Sequence, residues 1–74
     1  MFYEKVDSFK IGNRLKALRS EKGETTMEMA QALGISASAV TMYETGNRIP
    51  RDEIKVRIAE HFGVSVESIF FPAA

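Results

Sequence analysis

Two segments with the signals of short helices follow each other in the middle of the chain. The first, from Thr25 to Gly34, opens with Thr25-Thr26-Met27-Glu28, a capping-box pattern in which a hydroxyl and a carboxylate each satisfy a free backbone amide. The second, from Ser36 to Gly46, opens with a favourable N-cap residue and ends, like the first, at a glycine. Because only about three residues separate them, the two helices must cross over a tight turn.

Small residues stand where this crossing is expected. Ala30 lies on the first of the two helices and Gly34 lies at the turn. A bulky side chain at either place would push the helices apart. Taken alone, these two residues fit a helix-turn-helix motif and an ordinary helical hairpin equally well.

Apolar residues at helical spacing predict one helix before this pair and two after it. Helix 1 spans Phe9 to Lys22, and Ser8 is its expected N-cap. Helix 4 begins after Pro50, which cannot sit inside a helix, and Ser65 caps a short helix 5. The pattern therefore indicates five helices and no strand.

The length of the chain, 74 residues, leaves room for a single domain. We expect an all-α fold, a compact five-helix bundle over residues 10–71. An N-terminal arm of residues 1–9 precedes it, and a C-terminal tail of residues 72–74 follows it.

The charge of the chain is balanced, with ten Lys and Arg against ten Asp and Glu. A net charge of zero counts against strong non-specific binding to nucleic acid, although the distribution of charge matters more than the sum. The cations crowd helix 1 and the stretch after Gly46, whereas the segment from Glu24 to Thr45 contains no Lys or Arg.

The composition also bears on catalysis, cofactors and compartment. Without cysteine there is neither a disulfide nor a thiolate metal site, and His61 is most simply a residue at the core boundary, so we expect no enzyme, no metal and no cofactor. The N-terminus has no continuous apolar run, which excludes a signal peptide or a membrane span. The expected compartment is the cytoplasm.

The stretch from Ile11 to Phe70 resembles the phage-repressor and Cro-type family of helix-turn-helix proteins, also called the Xre family. The matching residues are Ile11-Gly12-Asn13-Arg14-Leu15, Lys22-Gly23, Met29-Ala30, Leu33-Gly34-Ile35-Ser36, Val40, Tyr43-Glu44, Gly46, Pro50, Ile58-Ala59 and Phe62-Gly63-Val64-Ser65. The resemblance implies a lambda-repressor-like fold that binds double-stranded DNA. It places helix 3, from Ala37 to Thr45, in the major groove.

By this resemblance the residues that contact bases are Ala37, Ser38, Thr41 and Met42. They offer two hydroxyls, a methyl group and a thioether, where many relatives carry Gln, Asn or Arg. Readout should therefore depend on single hydrogen bonds and on apolar contact with thymine methyl groups. For Met42 the alternative is a partly exposed residue at the rim of the core.

The expected phosphate contacts are Thr25, Thr26, Ser36, Asn47 and Arg48. The first three lie at the N-termini of helices 2 and 3, where free amides and the helix dipole attract anions. The last two lie in the loop that follows the DNA backbone in this family. Arg51, after Pro50, is expected in the minor groove; the alternative is a solvated charge.

We predict an ion pair between Arg19 of helix 1 and Glu44 of helix 3. Glu44 is the only acid in the recognition helix, and it would repel phosphates unless it were turned inward and neutralised. The family commonly pairs an arginine with a glutamate at these positions. The alternative is that both residues are surface charges.

Helix 5 and the tail are expected to join a homodimer through Val66, Ile69, Phe70 and Phe71. Consecutive helical residues point about 100° apart, so Phe70 and Phe71 cannot both face one core. A two-fold dimer would match a palindromic operator.

The sequence thus predicts a transcriptional regulator that represses by occupying a promoter, since so short a chain leaves no second domain for another mechanism. The alternative is an antitoxin, or a regulator controlled by an antagonist, whose main partner is a toxin or another protein. No membrane partner is expected.

Overall fold

The computed structural model describes residues 7–71, and within them it contains five helices and no strand. The helices are α1 (Ser8–Lys22), α2 (Thr26–Leu33), α3 (Ala37–Glu44), α4 (Asp52–Phe62) and α5 (Val66–Phe70). The predicted all-α, five-helix fold is confirmed.

The helix ends follow from local chemistry. The Thr25 hydroxyl accepts from the Glu28 amide at 3.1 Å, and the Glu28 carboxylate accepts from the Thr25 amide at 2.9 Å, so the predicted capping box is formed. Ser36 and Ser65 cap α3 and α5 with their hydroxyls, as predicted. α3 ends at Glu44, before the predicted Gly46.

The prediction for the start of α1 is wrong by one residue. Asp7 is the N-cap, and its carboxylate accepts from the amides of Phe9 and Lys10 at 3.0 and 3.1 Å. A carboxylate at this place satisfies free amides and also favours the helix dipole, which the hydroxyl of Ser8 would do less well. Ser8 and Phe9 therefore belong to α1 and not to an arm; the rest of the proposed arm and the tail of residues 72–74 lie outside the described residues.

The core contains buried residues from all five helices, and α3 packs against both α1 and α2. Its fully buried side chains are Leu15, Met29, Val40, Ile58 and Ile69. Of the residues expected at the crossing of α2 and α3, Ala30 is buried, whereas Gly34 is exposed and caps α2 with a φ of 70°. Gly34 thus serves the turn through its left-handed backbone, which glycine adopts without strain.

A close approach between α1 and α3 involves a residue that the apolar spacing did not single out. Gly12 of α1 lies against the main-chain carbonyl groups of Tyr43 and Glu44 at the end of α3, where a Cβ would overlap them. A glycine at this position therefore lets α1 and α3 touch backbone to backbone.

Within residues 7–71 no helix is both long enough and apolar enough to cross a membrane.

Candidate nucleic-acid interface

The outer face of α3 carries three of the four residues predicted to contact bases. Val40 and Tyr43 are buried, which leaves Ser38, Thr41 and Met42 exposed on the opposite side. Met42 is 41% exposed, and its side chain is thus free to touch a ligand. The structure therefore presents two hydroxyls and a thioether on one face.

Ala37, the fourth of these residues, does not face outward as predicted. It lies three residues before Val40, on the same side of the helix, and packs half-buried against the core. Ala37 therefore contacts the core and is only partly exposed at the edge of the outer face of α3.

The predicted ion pair between Arg19 and Glu44 is formed. Arg19 Nε donates to Glu44 Oε2 at 2.6 Å and Nη2 donates to Oε1 at 3.1 Å, a two-pronged contact. The side chains are only 15% and 7% exposed. The hydrogen bond to Glu44 raises the pKa of Arg19 above its ordinary value, despite the opposing effect of burial. The only acid of α3 is thereby turned inward and neutralised.

A second pair continues this network to α4. Arg19 Nη1 donates to the carbonyl oxygen of Glu24 at 2.8 Å, and the Glu24 carboxylate lies 2.8 and 2.9 Å from His61 Nε2. The Glu24 and His61 side chains are 14% and 15% exposed. The sequence pattern did not reveal this pair, because residues 37 positions apart share no local signal.

The two helix N-termini differ as anion sites. At α2 the Glu28 carboxylate belongs to the capping box, so a negative charge already occupies the end where Thr25 and Thr26 lie. At α3 the first turn contains no acid, and Ser36 satisfies only the Ala39 amide. The first amides of α3 have no partner within a helix. The N-terminus of α3 is therefore electrostatically more favourable for an anion than that of α2.

The loop after α3 is held by the end of that helix. The amides of Asn47 and Arg48 donate to the carbonyl oxygen of Met42 at 2.9 and 3.3 Å. Arg48 and Arg51 line one small open cavity together with Tyr43 and Ile49. The side chains of both arginines are exposed and make no hydrogen bond or ion pair within residues 7–71.

Three cationic side chains of α1 and α4 donate hydrogen bonds to main-chain carbonyl groups of other helices. Arg14 donates to Ile69 O at 2.6 Å, Lys22 donates to His61 O at 2.9 Å and Arg57 donates to Leu33 O at 3.2 Å. Each of these carbonyl groups lies at the C-terminal end of a helix, where a cation is favourable. These three side chains are therefore engaged within the fold.

Helix α5 gives a mixed result for the proposed dimer seam. Ile69 and Phe70 are 1% and 3% exposed within one subunit, so the prediction needs a correction: these residues complete the core and are not available to a partner. Phe71 is 53% exposed and lies under Lys55 Nζ, which is 5.0 Å from the ring centroid. Val66 is half-buried. The adjacent phenylalanines do face different environments, but Phe71 is the C-cap of α5 and its backbone, with a φ of −138° and a ψ of 54°, has left the helical conformation.

Comparisons with known proteins agree with this geometry. A family model described as "Helix-turn-helix domain" matches residues 10–69. Over 61 residues the chain is 38% identical to the uncharacterized HTH-type transcriptional regulator YazB of Bacillus subtilis. This alignment covers 82% of this chain and 88% of YazB. The chain is 39% identical over 61 residues to the HTH-type transcriptional regulatory protein PH1808 of Pyrococcus horikoshii, 82% of this chain but only 18% of that protein.

Among solved structures, that of SinR, a master regulator for biofilm formation, in complex with DNA is similar, with a TM-score of 0.74 and 28% identity. The match covers 80% of this chain and 95% of that chain.

Proposed function

The chain belongs to the helix-turn-helix family of phage-repressor (Xre) type, and from this premise we propose that it binds a palindromic operator as a homodimer and represses transcription by occupying a promoter. In this proposal α3 lies in the major groove. The similarity to SinR, which is bound to DNA in its structure, supports DNA as the partner.

The observation that carries the proposal is the outer face of α3. Ser38, Thr41 and Met42 are exposed there, whereas the one acid of the helix, Glu44, is withdrawn into a buried ion pair. A carboxylate left on that face would repel the phosphates on both sides of the groove. The face is thus uncharged, small enough to enter a groove, and able to form hydrogen bonds and apolar contacts with base edges.

The flanks of this face supply the backbone contacts of the proposal. The acid-free N-terminus of α3 is assigned to a phosphate on one side, and Asn47 and Arg48 are assigned to the backbone on the other. Thr25 and Thr26 are retained as weaker phosphate contacts, because Glu28 shares their helix end. Arg51 lines the same cavity as Arg48 and is assigned to the minor groove.

The experiment that tests this function measures binding of the purified protein to DNA by fluorescence anisotropy. One duplex carries the region upstream of its own gene, and the other is a random sequence of equal length. We expect tighter binding to the upstream duplex without any added protein, and loss of transcription from that promoter in vitro. Equal binding to both duplexes contradicts sequence-specific regulation.

The same experiment separates this proposal from the alternative in which a toxin or antagonist is the main partner. Specific binding by the pure protein supports a regulator that acts alone. Binding that appears only after a companion protein is added, or that a companion abolishes, favours control by a protein partner.

A further inference from the structure

Two exposed side chains at the C-terminal end of α3 are connected by hydrogen bonds. The Thr45 hydroxyl donates to the carbonyl oxygen of Thr41 at 2.8 Å, with the carbonyl oxygen of Met42 at 3.3 Å as a second acceptor. Asn47 Nδ2 in turn donates to the Thr45 hydroxyl oxygen at 2.9 Å. The Asn47 side chain is therefore tied to the end of the helix.

The direction of these bonds determines which way the Asn47 amide points. A hydroxyl group has one hydrogen, and that of Thr45 is already given to the main-chain carbonyl groups of α3. Thr45 can then only accept from Asn47, so the NH2 group of the amide must face it. An amide turned by 180° would bring Asn47 Oδ1 against the lone pairs of the hydroxyl and lose the bond.

The backbone of Asn47 is fixed as well, because its amide donates to the carbonyl oxygen of Met42 at 2.9 Å. With the backbone held and one hydrogen of Nδ2 bound to Thr45, the second hydrogen of Nδ2 has a defined direction. An outward N–H donor suits a phosphate oxygen, whereas an outward carbonyl oxygen repels it.

We infer that Thr45 is a positioning residue: its hydroxyl holds the Asn47 amide so that the second N–H donates to a phosphate of the DNA backbone. This inference rests on the proposed function, which assigns Asn47 to the backbone but gives no role to Thr45. Thr45 acts through Asn47 and touches no nucleotide itself.

The orientation is tested first without DNA. In NMR spectra of the folded protein, we expect the side-chain NH2 group of Asn47 to exchange slowly with water and the proton bonded to Thr45 to be shifted from its value in a free asparagine. Thr45→Val keeps the β-branched shape but removes the hydroxyl, so both signs of order should be lost; Thr45→Ser restores the hydroxyl and should restore them. An unchanged Asn47 signal in Thr45→Val overturns the inference.

The contact is tested by a double-mutant cycle on DNA affinity, measured on the upstream duplex and on random duplex. Asn47→Ala and Thr45→Val should each weaken binding about tenfold, the equivalent of about 1.4 kcal/mol. The double variant should bind no more weakly than Asn47→Ala alone, and Thr45→Ser should stay within about twofold of the unmodified protein.

The outcomes of the cycle are distinct. If the affinity decreases of the two single variants multiply in the double variant, Thr45 acts independently of Asn47 and the inference is overturned. The same conclusion follows if Thr45→Ser weakens binding as much as Thr45→Val does. A harmless Asn47→Ala overturns it too. A phosphate contact does not depend on base sequence, so the same cycle can be measured on random duplex. A protein that binds both duplexes equally would disprove the proposed regulator. The cycle on random duplex would then still test whether Thr45 positions Asn47.

Discussion

Gly12 of α1 lies directly against the main chain of Glu44 at the end of α3. A Cβ built on Gly12 would stand 2.8 Å from the Glu44 carbonyl carbon and 2.8 Å from the Tyr43 carbonyl oxygen, closer than real Cβ atoms approach such groups. The obstacle is backbone, which cannot rotate away as a flexible side chain would. The absence of a side chain at Gly12 therefore sets the distance between α1 and the proposed recognition helix.

The first prediction concerns Gly12→Ala. At an ordinary helical position this change increases stability by about 0.5 to 1 kcal/mol, because alanine restricts the unfolded chain. Here the overlap with α3 should reverse the sign and decrease the free energy of unfolding by about 1 to 3 kcal/mol. Urea denaturation measures the difference. The matched control is Ala17→Gly at an exposed site on α1, which reports helix propensity alone; a Gly12→Ala variant more stable than the unmodified protein contradicts the close approach.

The second prediction concerns the ion pair of Arg19 and Glu44. Arg19→Ala leaves a nearly buried carboxylate without a partner and should decrease the free energy of unfolding by about 3 to 5 kcal/mol. Replacing both residues, as Arg19→Met with Glu44→Leu, removes the unpaired charge and should cost far less. Thermal and urea unfolding of the three variants test this order.

The control for that comparison is the pair of Arg57 and Glu53, whose side chains are 48% and 70% exposed with 3.5 Å between the charged atoms. Glu53→Gln should change the free energy of unfolding by about 0 to 1 kcal/mol, because solvent screens an exposed pair. A stable Arg19→Ala variant would show that burial adds nothing to this interaction.

These contacts show which parts of the structure were predictable. Capping signals and apolar spacing act over a few residues, so the sequence of residues such as Thr25 and Ser36 predicts the helices almost to their ends. For Glu44, the need to neutralise an acid on a helix expected to enter DNA predicted a partner, and the resemblance to the phage-repressor family indicated that this partner is Arg19.

Other features depend on how distant helices meet. The backbone contact at Gly12 and the pair of Glu24 and His61 join segments that carry no shared local pattern. Large apolar residues such as Ile69 and Phe70 are as typical of a dimer interface as of a core. Only the packing of α5 on α1 and α4 shows that they are buried within one subunit.

The third prediction concerns Glu24 and His61. A carboxylate can only accept a hydrogen bond, so this contact requires His61 Nε2 to donate, and His61→Ala would leave Glu24 mostly buried without this donor. We expect the free energy of unfolding to decrease by about 1 to 3 kcal/mol. The neighbouring exposed residue supplies the control, since Glu60→Ala should change stability by less than about 0.5 kcal/mol. Equal effects of the two substitutions would indicate that the pair adds no stability.

The fourth prediction separates backbone contacts from base contacts. Arg48→Ala should weaken binding to all duplexes alike and reduce the salt dependence of affinity, by about 0.9 in the log-log slope for each phosphate that is no longer neutralised. Thr41→Ala should change the preferred sequence without changing that slope. We expect roughly four to six phosphate contacts per dimer, and the two copies of Arg48 account for two of them. Affinity decreases of equal size on every sequence from both variants would contradict this division.

The last prediction concerns Phe71 and the proposed dimer. Phe70 is buried, whereas Phe71, just after α5, is 53% exposed and is covered within the subunit only in part, by Lys55. Burial of such rings is a large part of the energy of interfaces, and a two-fold dimer would set two α3 helices about 34 Å apart, one turn of DNA. Phe71→Ser should therefore shift the protein from dimer to monomer in sedimentation equilibrium and weaken operator binding. Phe9→Ser is the matched control, because Phe9 is 70% exposed but lies beside Gly46 at the loop after α3. A protein that is monomeric at high micromolar concentration, or a dimer that Phe71→Ser leaves intact, would contradict the α5 interface and require another route to two-fold binding.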